Sequence, residues 1–181
     1  MNMKNWIALL TAMIMLLTCV FALAEEQPAA EAAEPAPVVS RYPSAESFMK
    51  QLDAQNVMYT VMGRSQDYDQ IRVNYSGANT DLISINCFFS ADGVTASLCV
   101  WDVVQYDPAK LNDVMSVCNT LNTNFKFVRY SCDTETGCVV AQLDTVFTPE
   151  SSGAVCSALV QLMVALLDDA YPQLAPFAAA E

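Results

Sequence analysis

Hydrophobic and polar positions divide this chain into stretches of different period, and each period names an element. Trp6 to Ala24 is an uncharged apolar run broken only by Thr11 and Thr18, with Lys4 before it and Ala22-Leu23-Ala24 at its end. A cation, an apolar segment and an A-x-A site form a secretory signal, so residues 1–24 are expected to direct export and to be removed. An uncleaved anchor over residues 6–24 is one alternative, because the run just reaches bilayer-spanning length. A lipid on Cys19, after Leu16-Leu17-Thr18, is another, although threonine stands where a lipobox has glycine or alanine. Each reading places the rest of the chain outside the cytoplasm, with membrane attachment only if the first segment is kept. Residues 25–41 are rich in alanine, proline and glutamate with no aromatic until Tyr42, too poor in apolar surface to order themselves, and are expected to be a linker.

From Tyr42 the pattern is that of a packed domain, expected over residues 42–176 with a short tail at 177–181. Phe48, Met49 and Leu52 fall at helical spacing after Ser44, a candidate N-cap, and Asn56 closes the helix. The period then switches to two: Val57 to Gly63 and Ile71 to Tyr75 alternate apolar and polar around the polar stretch Arg64 to Gln70. Asp92-Gly93 predicts a type I′ hairpin, under which Phe89 faces Ala96, Cys87 faces Leu98 and Ile85 faces Val100. Those side chains share one face, so turn and pattern agree. The opposite face then carries Ser84, Asn86, Phe88, Thr95, Ser97, Cys99 and Trp101.

Asp107-Pro108 opens a second helix, with Leu111, Val114, Met115, Cys118 and Leu121 on one stripe and Asn122 to Asn124 as its stop. Phe125 to Cys132 and Cys138 to Val146 predict a last hairpin around Asp133 to Gly137. Thr148-Pro149 begins a long helix to Tyr171-Pro172, with Val155, Leu159, Leu162, Met163 and Leu166 inward. Val160, Val164 and Leu167 widen its apolar surface beyond one stripe. The order α-β-β-β-β-α-β-β-α predicts an α+β fold, with three helices segregated against an antiparallel sheet.

Composition narrows the function. At 181 residues the chain has room for one ordinary domain. Its net charge is −12, and loss of the leader removes a cation and no acid, so binding to nucleic acid or anionic lipid by charge is disfavoured. Histidine is absent, which removes the commonest general base and metal ligand. Among five glycines there is no phosphate-binding loop, and Ser151-Ser152-Gly153 lacks the G-x-S-x-G context. No cofactor is expected.

Beyond the leader the cysteines are Cys87, Cys99, Cys118, Cys132, Cys138 and Cys156, an even set that suits disulfides in an exported chain. Cys132 and Cys138 flank the last hairpin and are the candidate pair, though a loop ending at Gly137 would set Cys132 opposite Val139 instead. Cys118, on an apolar stripe, is also read as a small core hydrophobe. Asp67 with Asp69 and Asp168 with Asp169 are the paired acids that could hold a metal for a hydrolase. Solvated charge is the plain alternative, and Asp168-Asp169 sits unfavourably near a helix C-terminus.

Phe88 and Trp101 would form an apolar spot among Ser84, Thr95 and Ser97, the look of a contact surface. The plain alternative is that a helix or a second chain covers that face as core.

Ile71-Arg72-Val73-Asn74-Tyr75, Val100-Trp101, and Val117 to Asn122 leading into Phe125-Lys126-Phe127 resemble the YbjN family over about Ser44 to Leu174. The resemblance implies a fold similar to type III secretion chaperones, with no settled biochemical activity. An export signal departs from those cytoplasmic chaperones, which form dimers, so a homodimer is implied as an alternative to another partner. The expected function is an exported, non-enzymatic module that binds a protein or peptide through Phe88, Trp101, Val160, Val164 and Leu167. An envelope hydrolase built on the paired aspartates is the rival.

Overall fold

The structure, a computed structural model, describes residues 42–179. The expected signal, linker and lipid site at residues 1–41 lie outside the described residues. Helix α1 spans Pro43–Ala54, and strands β1 Tyr59–Arg64, β2 Tyr68–Tyr75, β3 Ile83–Ser90 and β4 Thr95–Gln105 come next. A 3-10 turn at Pro108–Lys110 leads into α2, Leu111–Asn124; then come β5 Arg129–Asp133, β6 Cys138–Val146 and α3 Ser152–Leu174. The strands make one six-stranded sheet in the order β1-β2-β3-β4-β6-β5. Every neighbouring pair is antiparallel. The α+β fold expected from the pattern is the fold observed.

Buried side chains of all three helices and of the inward strand positions form a single core, including Phe48, Leu52, Ile71, Val73, Cys87, Phe89, Leu98, Leu121, Val160 and Met163. Because the inward positions of the central strands all point into that core, the three described helices share one face of the sheet. The other face carries none of them.

Several local expectations are corrected. Pro43, with its fixed φ, takes the first helical position, so Tyr42 is the N-cap and Ser44 falls inside the first turn. Ser44 is buried there, and its carbonyl accepts from Ser152 Oγ at 2.9 Å. Asn56 does end the helix, at φ 54°, in the left-handed region that asparagine tolerates. The Asp92-Gly93 turn has positive φ at Gly93 alone among its residues, so type I′ is not formed. Ser90 O instead accepts from Gly93 N at 3.1 Å, and the Asp92 carboxylate takes Val94 N at 2.9 Å and Thr95 Oγ1 at 2.6 Å. The register is nevertheless the expected one, Cys87 opposite Leu98 and Phe89 opposite Ala96. Both loops allow it, and only this pairing buries Ile85, Cys87, Phe89, Leu98 and Val100 together.

Helix α3 turns inward a stripe that shares only Met163 with the one expected. Cys156, Val160, Met163, Leu167, Ala170 and Leu174 are buried, while Val155, Leu159, Leu162 and Leu166 are half-buried. The helix is apolar nearly all round, so periodicity alone could not choose its inner side. Packing on α1 chose it through Ser152 and Gly153. A Cβ at Gly153 would stand 2.5 Å from Ser47 O. Pro172 does not end the helix either, because Leu174 continues it into the core. In α2, Met115, expected on the apolar stripe, is exposed instead. The expected tail is tied down as far as it is described, with Ala178 bridging Tyr106 and Ala179 N donating to Gln105 O at 2.8 Å.

Asp168 has a structural task that the sequence did not reveal. Its carboxylate accepts from the backbone N–H groups of Ala78, Asn79 and Thr80 at 3.0, 2.7 and 3.1 Å, which ties the β2–β3 loop to α3. Gly77 permits the approach, since a Cβ there would collide with the same carboxylate. The Asn79 backbone bond leads the causes that hold the Asp168 carboxyl below its ordinary range. A depressed folded pKa gives stability that is fully present above the unfolded value near 4 and is lost as pH falls through the folded one. Thermal melts should therefore show Asp168→Asn less stable than the parent at pH 7. The gap should narrow as pH falls below the unfolded value and through the lowered folded one, whereas a gap independent of pH would assign the effect to shape alone.

Candidate binding surface

The helix-free face of the sheet is mostly polar, and its side chains are tied to one another. On β2 and β3, Gln70 Nε2 and Arg72 Nε both donate to Asn86 Oδ1 at 3.0 Å, and Asn86 is buried beneath them. On β4 and β6, the Asp144 carboxylate accepts from Ser97 Oγ and from Gln142 Nε2, and Arg129 stands 3.6 Å away. Burial raises the Asp144 carboxyl, but the Ser97 and Gln142 bonds and the Arg129 charge outweigh it and leave the group lowered.

Between these networks lies an aromatic group. Phe88 meets Trp101 with ring centroids 5.7 Å apart and meets Tyr68 edge-on at 5.3 Å. Such tilted and T-shaped contacts satisfy the ring quadrupoles, so the rings hold one another in place without a covering layer. Trp101 stays 46% exposed and Tyr68 38%, which decides against cover by a helix of the described residues.

The sheet opens beside Trp101. Val100 pairs with Ala141 and Val104 with Val139, so Trp101, Asp102 and Val103 bulge opposite Val140 alone. Pairing of β3 with β4 reaches no further than Asn86 opposite Cys99. The gap is a cleft of about 450 Å³ lined by Arg72, Ser84, Asn86, Trp101, Asp102 and Asp133 among others. Among the described residues, no carboxylate lies within ion-pairing distance of Arg72. The cleft thus offers a guanidinium edge next to an indole.

The other expected contact residues lie elsewhere. Val160 and Leu167 are core residues, 0% and 2% exposed, and cannot present a surface. Val164 is half-buried against the same core, and no large apolar side chain of α3 is among the exposed ones. The excess apolar surface of α3 is therefore taken up by α1, the sheet and α2. Tyr68 and Arg72 were missed, and Asn86 was placed on this face without its role as acceptor for Gln70 and Arg72. The alternation from Ile71 to Tyr75 already turned Arg72 outward, but only the strand order shows that it stands beside Asn86 and near Trp101.

Cys132 pairs with Val139 and Cys138 with Asp133 across the last hairpin, so these thiols point to opposite faces of the sheet and do not meet. Sγ of Cys132 instead lies 3.9 Å from Sγ of Cys118. Burial pushes the Cys99 thiol, on the helix-free face, up to about 11. The paired acids are not gathered into one site. Asp69 is buried and accepts from Tyr42 N at 3.1 Å, Asp67 is exposed, and Asp168 is engaged by the β2–β3 loop. No group of three or more His, Cys, Asp or Glu side chains with metal-binding placement occurs among the described residues.

No protein-family model matches the chain, and no curated protein does. The chain is similar in structure to the crystal structure of YbjN from E. coli, with a TM-score of 0.49 and 9% sequence identity over 72% of this chain and 90% of that one.

Proposed function

We propose that this chain is a non-enzymatic binding module, exported to the cell envelope or beyond, which takes a protein or peptide partner on the helix-free sheet face at Phe88 and Trp101. One observation carries the reading: an aromatic group half open to solvent beside a cleft whose Arg72 guanidinium is held by Asn86 and makes no ion pair among the described residues, on a face that no described helix covers. Apolar side chains of a partner would stack on Trp101 and Phe88, and a partner carboxylate would meet Arg72, for which a planar fork of N–H donors is suited. Catalysis finds less support. Cys87, Cys99, Cys118, Cys132 and Cys156 are all held toward the neutral thiol by burial, and the aspartates of a metal hydrolase are spent on structural bonds or scattered.

Panning a random peptide library against the folded chain tests the reading, with Trp101→Ala as the counter-target. Sequences are expected to enrich that bind the parent at least tenfold better than the variant, and to carry an acidic group whose loss mimics Arg72→Gln. Enrichment indifferent to Trp101 would move the binding surface elsewhere. A parent chain that sediments as a dimer while Trp101→Ala sediments as a monomer would make the partner a second copy.

A further inference from the structure

We propose that Cys118 and Cys132 form a disulfide that staples α2 to the edge strand β5, so that this pair of thiols is the redox-modification site of the fold. The two Sγ atoms are 3.9 Å apart, and a disulfide needs about 2 Å, a gap that side-chain rotation can close. Cys118 stands on the buried stripe of α2, and Cys132 on the inward side of β5 opposite Val139. Their elements are already locked together. One turn beyond Cys118, Asn122 Oδ1 accepts from Tyr130 N at 2.7 Å and Asn122 Nδ2 donates to Tyr130 O at 2.9 Å, two residues from Cys132. The asparagine amide thus pairs with the strand edge as a neighbouring backbone would, and it fixes the register of the two cysteines before any bond joins them.

The oxidant is a low-molecular-weight disulfide of the glutathione class. Cys132, the more accessible thiol, loses its proton and attacks one sulfur of the donor, expelling the first thiolate. Cys118, deprotonated in turn, attacks the Cys132 sulfur of the mixed disulfide and expels the second. Two protein thiols become one bond, the donor becomes two thiols, and the two protons released by the protein end on them. Burial raises the Cys132 thiol and pushes Cys118 up to about 12, so the exchange belongs to folding or to local opening. Among the described cysteines, none other is placed to meet Cys118 or Cys132: Cys87 and Cys156 neighbour each other elsewhere in the core, Cys99 sits on the helix-free face, and Cys138 points away from Cys132. The inference depends on the fold alone and stands apart from the binding role and from export.

The test refolds the chain in mixed oxidised and reduced glutathione, alkylates it and digests it without reduction. A linked peptide pair containing Cys118 and Cys132 is expected, with a melting temperature about 10 °C above that of the reduced protein. Cys138→Ser should keep both properties. Cys132→Ser should lose both while retaining the parent's circular dichroism spectrum. A link from Cys132 to Cys138, or full alkylation of Cys118 and Cys132 after oxidation and unfolding, overturns the proposal.

Discussion

Gly153→Ala is expected to destabilise the chain by about 1–3 kcal/mol or more, and Gly153→Leu to leave no cooperative unfolding transition. Gly153 lies in the first turn of α3 where that helix crosses α1. An added Cβ would stand 2.5 Å from Ser47 O and 2.9 Å from Ser47 Oγ. A side-chain clash could be relieved by rotation, but the main-chain oxygen cannot move without shifting α1. At the same contact Gly153 N donates to Ser47 Oγ at 3.2 Å, and Ser152 Oγ to Ser44 O at 2.9 Å. Both bonds would lengthen together. Ser47→Ala should therefore fail to rescue Gly153→Ala, because it clears the hydroxyl and leaves the carbonyl. Urea denaturation of the two single variants and the double variant measures this directly, and a full rescue would show that the hydroxyl alone was the obstacle.

Phe89→Ala is expected to cost about 3–5 kcal/mol, whereas Trp101→Ala should stay within about 1 kcal/mol of the parent. Phe89 is fully buried and touches the rings of Phe48 at 5.2 Å and Phe147 at 6.3 Å, so it joins α1, β3 and the segment after β6. Its removal leaves a cavity under α1. Trp101 on the other face gives up only contacts that solvent already shares. Melts of both variants separate core from surface. If Trp101→Ala were as damaging as Phe89→Ala, the helix-free face would be structural, and a loss of binding in that variant could no longer be assigned to contact.

Alternation and turn residues determined by themselves that β3 and β4 form a hairpin and which of their side chains share the core face, though not that Asn86 and Cys99 on the other face are buried as well. A slip of one residue would have turned Ile85, Cys87 and Phe89 to water, so the pattern admits one register even though the turn type inferred for it was wrong. The order of helices and strands was likewise legible, because the period changes cleanly at Val57 and again at Asp107. Helical stops were readable at Asn56, where a left-handed residue was needed, and at Asn122 to Asn124. The second use of Asn122, as partner to the Tyr130 backbone, was not. What only the tertiary structure decided were matters of neighbourhood. Helix α3 is apolar on several sides, and it took contact with Ser44 and Ser47 of α1 to turn Val160 and Leu167 inward. The β5–β6 register, which a loop ending at Gly137 already offered, set Cys132 opposite Val139, and only the packing of α2 on β5 brought Cys118 to it. Asp168 looked misplaced for the helix dipole until the β2–β3 loop brought three backbone N–H groups to it. The face at Phe88 and Trp101 was visible as a pattern, but that all the described helices lie on the other side is decided only by how they pack, since periodicity states which side chains share a face and not what covers it.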